Sequence, residues 1–426
     1  MRTTDSNLAM RISTCSVAVL TAIAIGLCIA PAAGAQTIVV SPTGAVRTVS
    51  GAIRSAPRHA RIVVRPGVYA EPTILVDKPV EIIGDGWPVL DGKGMRQIMT
   101  VTADSVTIRG LRFAHVGTSF TEDWAAVRFQ SVRGCVVEAN RFDDAFFGIY
   151  LARVDDCVVR GNVLRSNRGR EMNSGNGIHL WNANRITIAD NRITGHRDGI
   201  YFEFVHNSVI SGNLSERNLR YGLHFMYSDD CRYLRNTFRS NGSGVAVMFT
   251  HRVEMTGNRF EENWGGAAYG LLLKEIADSR LDGNVFSRNT TALMADGANR
   301  IKATHNDFVD NGWAVKLEAS TQEGSFTSNN FIGNTFDVAA NNSESTNTFA
   351  RNYWDGYRGY DLDRDGFGDV PFHPVRLFSV VVAQNAPSII LLRSNFVRLL
   401  DSAESIVPAL TPEAVADREP SMTRVR

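Results

Sequence analysis

The sequence predicts an all-β fold, a right-handed parallel β-helix (a solenoid) of about a dozen turns. Three observations predict it. A short apolar pattern ending in asparagine recurs through the chain, most copies are 22 or 23 residues apart, and a second asparagine column follows the first by five residues. One copy is too short to bury its own apolar face, so successive copies must stack. Asparagine suits the turns because it tolerates left-handed backbone and can hydrogen-bond to the copies above and below.

The two asparagine columns set the register of the predicted solenoid. The first column contains Asn140, Asn162, Asn191, Asn213, Asn236, Asn258, Asn284, Asn306, Asn329 and Asn352. The second contains Asn167, Asn218, Asn241, Asn263, Asn289, Asn311 and Asn334. Spacings of 29 and 26 residues within the first column indicate two insertions. We interpret both columns as structural.

The first 35 residues are predicted to be a signal peptide, cleaved after about Ala35. Arg2 and Arg11 precede an apolar run, residues 17–30, which ends before the small residues typical of a cleavage site. The run is too short for a membrane span. We therefore expect an exported protein whose solenoid comprises residues 36–376.

The ends of the solenoid carry different signals. Residues 50–60 (SGAIRSAPRHA) predict a short amphipathic helix that caps the first turn. The repeat stops at Leu377, and residues 388–407 have apolar side chains at helical spacing. We expect residues 377–426 to be a C-terminal segment that either caps the solenoid or docks on a partner, with a disordered tail beyond about Pro412.

Net charge excludes one class of function, and the cysteines raise a question about bonding. A formal net charge of +1 argues against a general nucleic-acid binder. Cys135, Cys157 and Cys231 remain after the predicted cleavage. Cys135 and Cys157 share one inner position a turn apart, about 4.8 Å from each other. We favour a buried stack of free thiols, with a metal site or a disulfide as the alternatives.

A glycine-led strand follows each asparagine of the second column, and its side chains alternate between the two faces. The inner positions are apolar, as at Leu223 and Phe225. One outer column runs Tyr150, His179, Tyr201, His224, Ala246 and Leu272, and the other runs Ala152, Trp181, Glu203, Met226, Met248 and Lys274. Histidine and methionine side chains from distant parts of the sequence should therefore share one exposed patch.

The patch has three possible roles. Imidazole with soft thioethers suits Cu(I), which predicts a transient copper site; its candidate ligands are His224, Met226, Met248 and His179. The patch could instead be a partner-docking face; the candidates are Trp181, Tyr201 and Glu203, with Arg168, Arg170 and Met172 from the first insertion. A surface covered by a loop is the third possibility.

An acidic motif, DLDRDGFGD, closes the solenoid. Asp361, Asp363, Asp365 and Asp369 stand at positions 1, 3, 5 and 9 of a calcium-loop pattern, with Gly366 at position 6. Hard oxygen ligands around a sharp glycine turn suit Ca²⁺. Position 12 is Phe372 rather than glutamate, so this is not an EF-hand. A solvated turn without a cation is the alternative.

Four segments together resemble the NosD family of periplasmic nitrous oxide reductase maturation proteins. They are RDGIYFE, RYGLHFMYSDD, GVAVMFT and RNYWDGYRGYDLDRDGFGDVPF. The resemblance covers about residues 36–376. It implies a periplasmic, non-enzymatic protein that helps to assemble the copper–sulfur centre of nitrous oxide reductase. The implied partners are the permease and ATPase of an ABC transporter, a copper-chaperone lipoprotein and the apo reductase, with membrane association through these partners only.

The strongest rival prediction is a carbohydrate-active β-helix enzyme, either a polysaccharide lyase or an epimerase. Such a site needs paired carboxylates, or a carboxylate beside a base, facing a sugar groove. The candidate acids are Asp143, Asp144, Asp155, Asp156, Asp229 and Asp230. Most of them fall at turns, and the Asp-Pro-His motif of alginate epimerases is absent. A cell-surface adhesive solenoid is a further alternative.

Overall fold

The computed structural model describes residues 36–119, 121–167, 169–266, 268–340, 345–406 and 415–425. The predicted signal peptide, residues 1–35, lies outside the described residues. Parallel strands stack into three long sheets, and a typical turn of the chain contributes one strand to each sheet. The predicted parallel β-helix is confirmed, with about 14 turns.

The strands are short because each one crosses a single side of the coil. Sheet A contains Thr37–Val40, Ala60–Val64, Val80–Gly84, Thr107–Arg109, Val136–Glu138, Val158–Arg160, Thr187–Ala189, Val209–Ser211, Arg232–Leu234, Glu254–Thr256, Arg280–Asp282, Lys302–Thr304, Ser325–Thr327 and Thr348–Ala350. Sheet B contains Val68–Tyr69, Val89–Asp91, Arg112–Ala114, Arg141–Asp143, Val163–Arg165, Arg192–Thr194, Leu214–Glu216, Thr237–Arg239, Arg259–Glu261, Val285–Ser287, Asp307–Val309, Asn330–Ile332 and Tyr353–Trp354. Sheet C contains Ile74–Val76, Met99–Val101, Ala125–Gln130, Phe147–Asp155, Ile178–Asn184, Asp198–His206, Tyr221–Met226, Ser243–His251, Tyr269–Ala277, Thr291–Asp296, Trp313–Leu317 and Phe336–Ala340.

Helices lie at the two ends. Helix α1 (Val49–Ser55) begins at Thr48, whose hydroxyl accepts a hydrogen bond from Gly51 N–H, and it buries Val49, Ala52 and Ile53 against the first turn. Near the other end, α2 (Leu377–Gln384) and α3 (Asn395–Ile406) are joined through a 3₁₀ segment, Ala386–Leu391.

The core fills the interior of the coil. Leu223 and Phe225 are fully buried, as the alternation within their strand predicts. On the sheet B side, aromatic rings from consecutive turns stack with centroids 4.1–5.7 Å apart; they belong to Phe238, Phe260, Phe286, Phe308, Phe331 and Trp354. Such contacts stabilise by about 0.5–1.5 kcal/mol each beyond the area they bury. Neighbouring turns are therefore held together by side chains as well as by the strand ladders.

The first asparagine column forms a buried hydrogen-bonded ladder. Asn191, for example, donates from its backbone N–H and its side-chain amide to Oδ1 of Asn213, at 3.0 Å in each case. The pattern repeats from Asn140 to Asn352. The second ladder runs from Asn218 to Asn334. Asn167 is exposed and stands outside it, and His196 N–H is what donates to Asn218.

Glycine is needed at the start of these sheet C strands, because the next turn of the coil approaches the backbone too closely for a side chain. A Cβ at Gly222 would lie 2.8 Å from the Asn241 side-chain nitrogen and 2.8 Å from the Gly244 carbonyl oxygen. Any larger residue would push the asparagine ladder away from the strand. The glycine column therefore allows the second ladder to lie directly against sheet C.

The favoured interpretation of the cysteines was wrong. Cys135 and Cys157 form a disulfide between adjacent turns, with their Cα atoms 4.6 Å apart. Stacked positions in a solenoid fall within the Cα separation that a disulfide needs. Cys231, which is buried, remains a free thiol.

The predicted disorder beyond Pro412 is wrong for residues 415–425. This stretch lies against the last turns, where Asp417 bridges to Phe349 and Phe372. Asp417 is fully buried, and its Oδ2 accepts a hydrogen bond from Trp354 Nε1 at 3.0 Å. The chain therefore returns from its C-terminal helices to complete the end of the solenoid.

Candidate functional site

The outer face of sheet C carries both predicted columns in the predicted register. Tyr150, His179, Tyr201 and His224 are consecutive cross-turn partners. Trp181, Glu203, Met226, Met248 and Lys274 form the parallel column. This register follows from the side-chain alternation and the fixed spacing of the repeat.

His224 belongs to the outer column but is not open to solvent. It is only 7% exposed, because the rings of Tyr201 and Tyr221 lie against it, with centroids 5.1 and 4.9 Å away. Its Nδ1 lies 3.9 Å from Oδ2 of Asp198. Neither ring nitrogen has a hydrogen-bond partner among the described residues. A buried imidazole without a hydrogen bond is costly and calls for an explanation, such as a functional role.

The buried carboxylate of Asp198 forms an ion pair with the half-buried Arg220 beside His224. Arg220 Nε donates to Oδ1 of Asp198 at 2.8 Å. Burial favours the neutral carboxyl, yet the Arg220 guanidinium holds the pKa of Asp198 below its ordinary value. His224 therefore faces a carboxylate that Arg220 already pairs with.

Met226 and Met248 are direct cross-turn partners, and both are half-buried. Met226 lies two residues after His224 on the same face of its strand. Adjacent turns are about 4.8 Å apart, which allows two thioethers and one imidazole to approach a single ion. The structure thus brings His224, Met226 and Met248 onto adjoining positions.

His179 is not part of that group. The Tyr201 ring lies between the two imidazoles, stacked on His179 at 4.8 Å and edge-on to His224 at 5.1 Å. His179 Nδ1 instead accepts a hydrogen bond from Asn176 Nδ2 at 2.9 Å. Burial, with help from the nearby Arg197 charge, lowers the pKa of His179 to about 3. The imidazole of His179 is therefore neutral at physiological pH.

His179 lines a cleft of about 650 Å³ on the same face. The wall combines aromatic rings with charged groups of both signs; it includes Asp123, Arg128, Tyr150, Arg153, Glu171, Met172, Ser174, His179, Trp181, Arg197, Tyr201 and Glu203. The first insertion contributes through a single 3₁₀ turn, Glu171–Asn173. The cleft is of the size that holds small ligands.

The predicted docking residues fall around this cleft with two exceptions. Trp181, Tyr201, Glu203 and Met172 all line it, and Met172 is 81% exposed. Arg170 is exposed but does not line the cleft. Arg168 lies outside the described residues.

An exposed aromatic ladder stands beside Met226 and Met248. Phe204, Tyr227 and Phe249 stack across three turns with centroids 5.2 Å apart. All three have left-handed backbone, with φ between 49° and 56°, and each is 38–43% exposed. Aromatic residues rarely adopt this conformation, which costs about 1–2 kcal/mol per residue. The same bend recurs at this position on neighbouring turns, as at Arg153 and Glu275. The exposed apolar character of the ladder is what indicates a surface kept for contact.

Our interpretation of the sequence missed this aromatic ladder. The signal was present, because each ring directly follows an outer residue of the methionine column, at spacings of 23 and 22 residues. Strand alternation alone assigns the next residue to the core. The left-handed bend at this position turns the side chain outward instead.

The acidic loop gathers three of its four predicted ligands. Side-chain oxygens of Asp361, Asp363 and Asp365 lie within 4.8 Å of one another. The Asp369 carboxylate instead accepts a hydrogen bond from Leu362 N–H at 2.6 Å. Asp361 accepts from the N–H groups of Arg364 and Gly366, which closes the loop.

The C-terminal helices pack on the far end of sheet C. Phe378 and Val382 of α2 join a buried cluster with Trp313 and Phe336. The opposite side of this segment exposes apolar side chains, including Ile390 at 86% and other residues: Ile389, Leu391, Phe396 and Leu399. Among the described residues, no helix has the length and hydrophobicity needed to cross a membrane.

Solved structures share the fold. The catalytic unit of a thermostable GH87 α-1,3-glucanase from Streptomyces thermodiastaticus is similar with a TM-score of 0.60 at 16% identity, over 78% of this chain and 69% of that chain. The Dettilon tailspike protein is similar with a TM-score of 0.53 at 13% identity, over 74% and 70%. At these identities the likeness concerns the β-helix alone.

Sequence comparison gives a more specific result. A family model described as periplasmic copper-binding protein (NosD) matches residues 165–359. A Pseudomonas aeruginosa protein named probable ABC transporter binding protein NosD is 30% identical over 403 residues, which cover 89% of this chain and 92% of the relative. A Stutzerimonas stutzeri protein of the same name is 25% identical over 367 residues, covering 82% and 83%. The chain therefore belongs to the NosD family.

Proposed function

We propose that this protein is a periplasmic docking platform for an ABC transporter, and that it relays Cu(I) during assembly of the copper–sulfur centre of nitrous oxide reductase. A copper-chaperone lipoprotein would be the donor and the apo reductase the acceptor. Copper is cargo in this scheme, held transiently. The names of the curated relatives support the association with a transporter, and the family description supports copper.

The observation that carries the copper role is the buried imidazole of His224 beside two thioethers. Both of its ring nitrogens are buried without a hydrogen bond among the described residues, and Met226 and Met248 occupy adjoining outer positions. Imidazole with two thioethers is a donor set that Cu(I) accepts readily, whereas Ca²⁺ and Mg²⁺ do not. A carrier must also release its ion, and three neutral ligands bind less tightly than a set containing thiolates.

Two apolar surfaces support the docking role. The aromatic ladder of Phe204, Tyr227 and Phe249 adjoins the two methionines, so a protein seated on it would reach the ion. The exposed apolar side of the C-terminal helices is separated along sheet C from that ladder. We assign the ladder to the copper donor or acceptor and the helices to the transporter.

The histidine and the tyrosines of the cleft support a non-enzymatic role. Burial lowers the pKa of His179 to about 3 and raises the pKa values of Tyr150 and Tyr201 to about 12. General acid–base catalysis is most efficient when the pKa lies near the working pH. The pKa values of His179, Tyr150 and Tyr201 lie far from neutral pH, so these groups are poorly suited to exchange protons there.

The test is a Met226→Leu, Met248→Leu double variant. Leucine keeps the volume and apolar character of each side chain but removes the thioether, so the fold should persist. We expect Cu(I) affinity, measured by competition with a chromogenic chelator, to fall about tenfold or more, and the copper content of coexpressed reductase to fall with it. Met294→Leu is the matched control, because Met294 lies on the same face of sheet C two turns beyond Met248.

Normal copper content in reductase from cells with the double variant would refute the relay. If copper delivery is lost in an aromatic-ladder variant but not in the double variant, the patch serves docking alone.

A further inference from the structure

The cleft around His179 contains charged groups that do not pair with one another. Elsewhere in the protein, arginines pair with carboxylates on neighbouring turns, as Arg160 does with Glu138 and Arg300 with Asp278. In the cleft, Arg128, Arg153 and Arg197 have no carboxylate within ion-pair distance among the described residues; Arg128 and Arg153 lie instead over the Tyr150 and Trp181 rings. The remaining charged residues of the wall are three carboxylates: Asp123, Glu171 and Glu203. Three positive and three negative groups leave the cleft with no net charge.

Several polar atoms in the wall are buried and unsatisfied. Ser174 is only 1% exposed, and its hydroxyl has no hydrogen-bond partner among the described residues. The Nε atoms of Arg128 and Arg197 are likewise buried without a partner in that part of the chain. Donors and acceptors are both represented, because a serine hydroxyl can serve as either. Buried polar groups are normally hydrogen-bonded, so these atoms are suited to bind a ligand that enters the cleft.

Trp181 differs from the other rings that line the cleft. Tyr150, His179 and Tyr201 stack on one another across turns, whereas Trp181 has no ring–ring contact among the described residues. The Arg153 guanidinium lies 5.9 Å from the indole centroid, and the part of the indole that lines the cleft is available to the apolar face of a ligand. A sugar ring fits both features: its C–H face can stack on the indole, and its hydroxyls can bond to the donor and acceptor groups of the wall.

We propose that the cleft binds a short uncharged oligosaccharide without cleaving it. A sugar hydroxyl donates and accepts at once, so one ligand can satisfy guanidinium donors and carboxylate acceptors together. An ionic ligand would leave the groups of like sign unmatched in a cleft with no net charge. The cleft volume of about 650 Å³ accommodates a few sugar rings.

The experiment is calorimetric titration of the mature protein with neutral pentasaccharides of glucose and of N-acetylglucosamine. A mannuronate pentamer is the acidic comparison. We expect at least one neutral pentasaccharide to bind, and Trp181→Ala and Arg197→Gln each to weaken it about tenfold. The matched control is Trp87→Ala, which removes a tryptophan stacked with Arg141 at 4.0 Å outside the cleft. Thermal melts check that each variant is folded.

Three results would overturn the assignment. They are no binding of any neutral pentasaccharide up to about 10 mM, binding of the uronate alone, and equal affinity in the Trp181→Ala and Trp87→Ala variants. If no sugar binds and Trp181→Ala abolishes copurification with the transporter, the cleft is a protein contact. Cu(I) binding by the Trp181→Ala variant is measured in parallel, which separates this proposal from the copper relay.

Discussion

Asp417 Oδ2 accepts hydrogen bonds from both the backbone N–H and the side-chain amide of Asn352, at 3.0 and 3.1 Å. It thereby takes the position of the next asparagine in the ladder, although it comes 65 residues later in the chain. Its other oxygen accepts from Arg351 N–H at 3.1 Å. The last exposed edge of the first asparagine column is therefore closed by a carboxylate from the returning C-terminal segment.

Replacing Asp417 by alanine should loosen the C-terminal turns. The change leaves the Asn352 backbone N–H and Trp354 Nε1–H buried without acceptors, at an expected cost of about 2–4 kcal/mol, whereas the Asn352 side-chain amide keeps its bond to the Phe326 carbonyl. Amide hydrogen exchange in strands Thr348–Ala350 and Tyr353–Trp354 should quicken, while Thr187–Ala189 stays protected. Asp417→Asn retains one acceptor oxygen and should restore part of the protection. Unchanged exchange in the alanine variant would show that the returning segment does not stabilise the end of the solenoid.

The aromatic ladder should be dispensable for folding but not for docking. Asparagine tolerates left-handed backbone better than an aromatic residue does, so Tyr227→Asn relieves strain while it loses ring stacking. We expect the free energy of unfolding to change by less than about 1 kcal/mol. Phe225→Ala, two positions away in the core, should cost about 3–5 kcal/mol. Copurification with the copper donor or the reductase should fall in Tyr227→Asn. A large stability loss in that variant would identify the ladder as structural.

The attachment of α2 to the end of sheet C should weaken as pH rises. Burial raises the pKa of Asp337 to about 6, from an ordinary value near 3.8. The folded protein then binds more protons than the unfolded chain between about pH 4 and 6, so stability falls through that window and levels off above it. The free energy of unfolding should fall by about 3 kcal/mol in all across that window.

Asp337→Asn should remove this pH dependence and stabilise the α2 contact at pH 7. Hydrogen exchange of the α2 amides at pH 5 and pH 7.5 measures the stability of the α2 contact in both proteins. If wild type and variant show the same pH dependence, Asp337 is not the group responsible.

Calcium should stabilise the acidic loop. Asp361, Asp363 and Asp365 present oxygens within 4.8 Å of one another, and their mutual repulsion is relieved by a divalent cation. We expect millimolar CaCl₂ to raise the melting temperature of the wild type and not of Asp363→Asn, Asp365→Asn, with MgCl₂ less effective. Asp85→Asn, on an exposed surface turn, is the control. An equal calcium response in both proteins would place the ion elsewhere or exclude it.

The sequence by itself determined the solenoid and the alignment of the two outer columns, whereas the three strands of each turn came from the structure. A repeat of nearly fixed length leaves one stacking register, and strand alternation then assigns each residue to a face. His224, Met226 and Met248 could be placed together on that basis alone. The sequence left the disulfide as an alternative, because Cys135 and Cys157 at the same position on adjacent turns could be either two free thiols or a disulfide.

Only the tertiary structure decided what surrounds those columns. It inserted Tyr201 between His179 and His224, covered His224 with Tyr221, and turned Phe204, Tyr227 and Phe249 outward through left-handed bends. It also brought Asp417 back to Asn352. These features depend on side-chain orientation and on contacts between segments outside the repeat. A repeating pattern determines where a residue sits along the coil, whereas neighbouring side chains determine which of its atoms remain exposed, paired or available to a ligand.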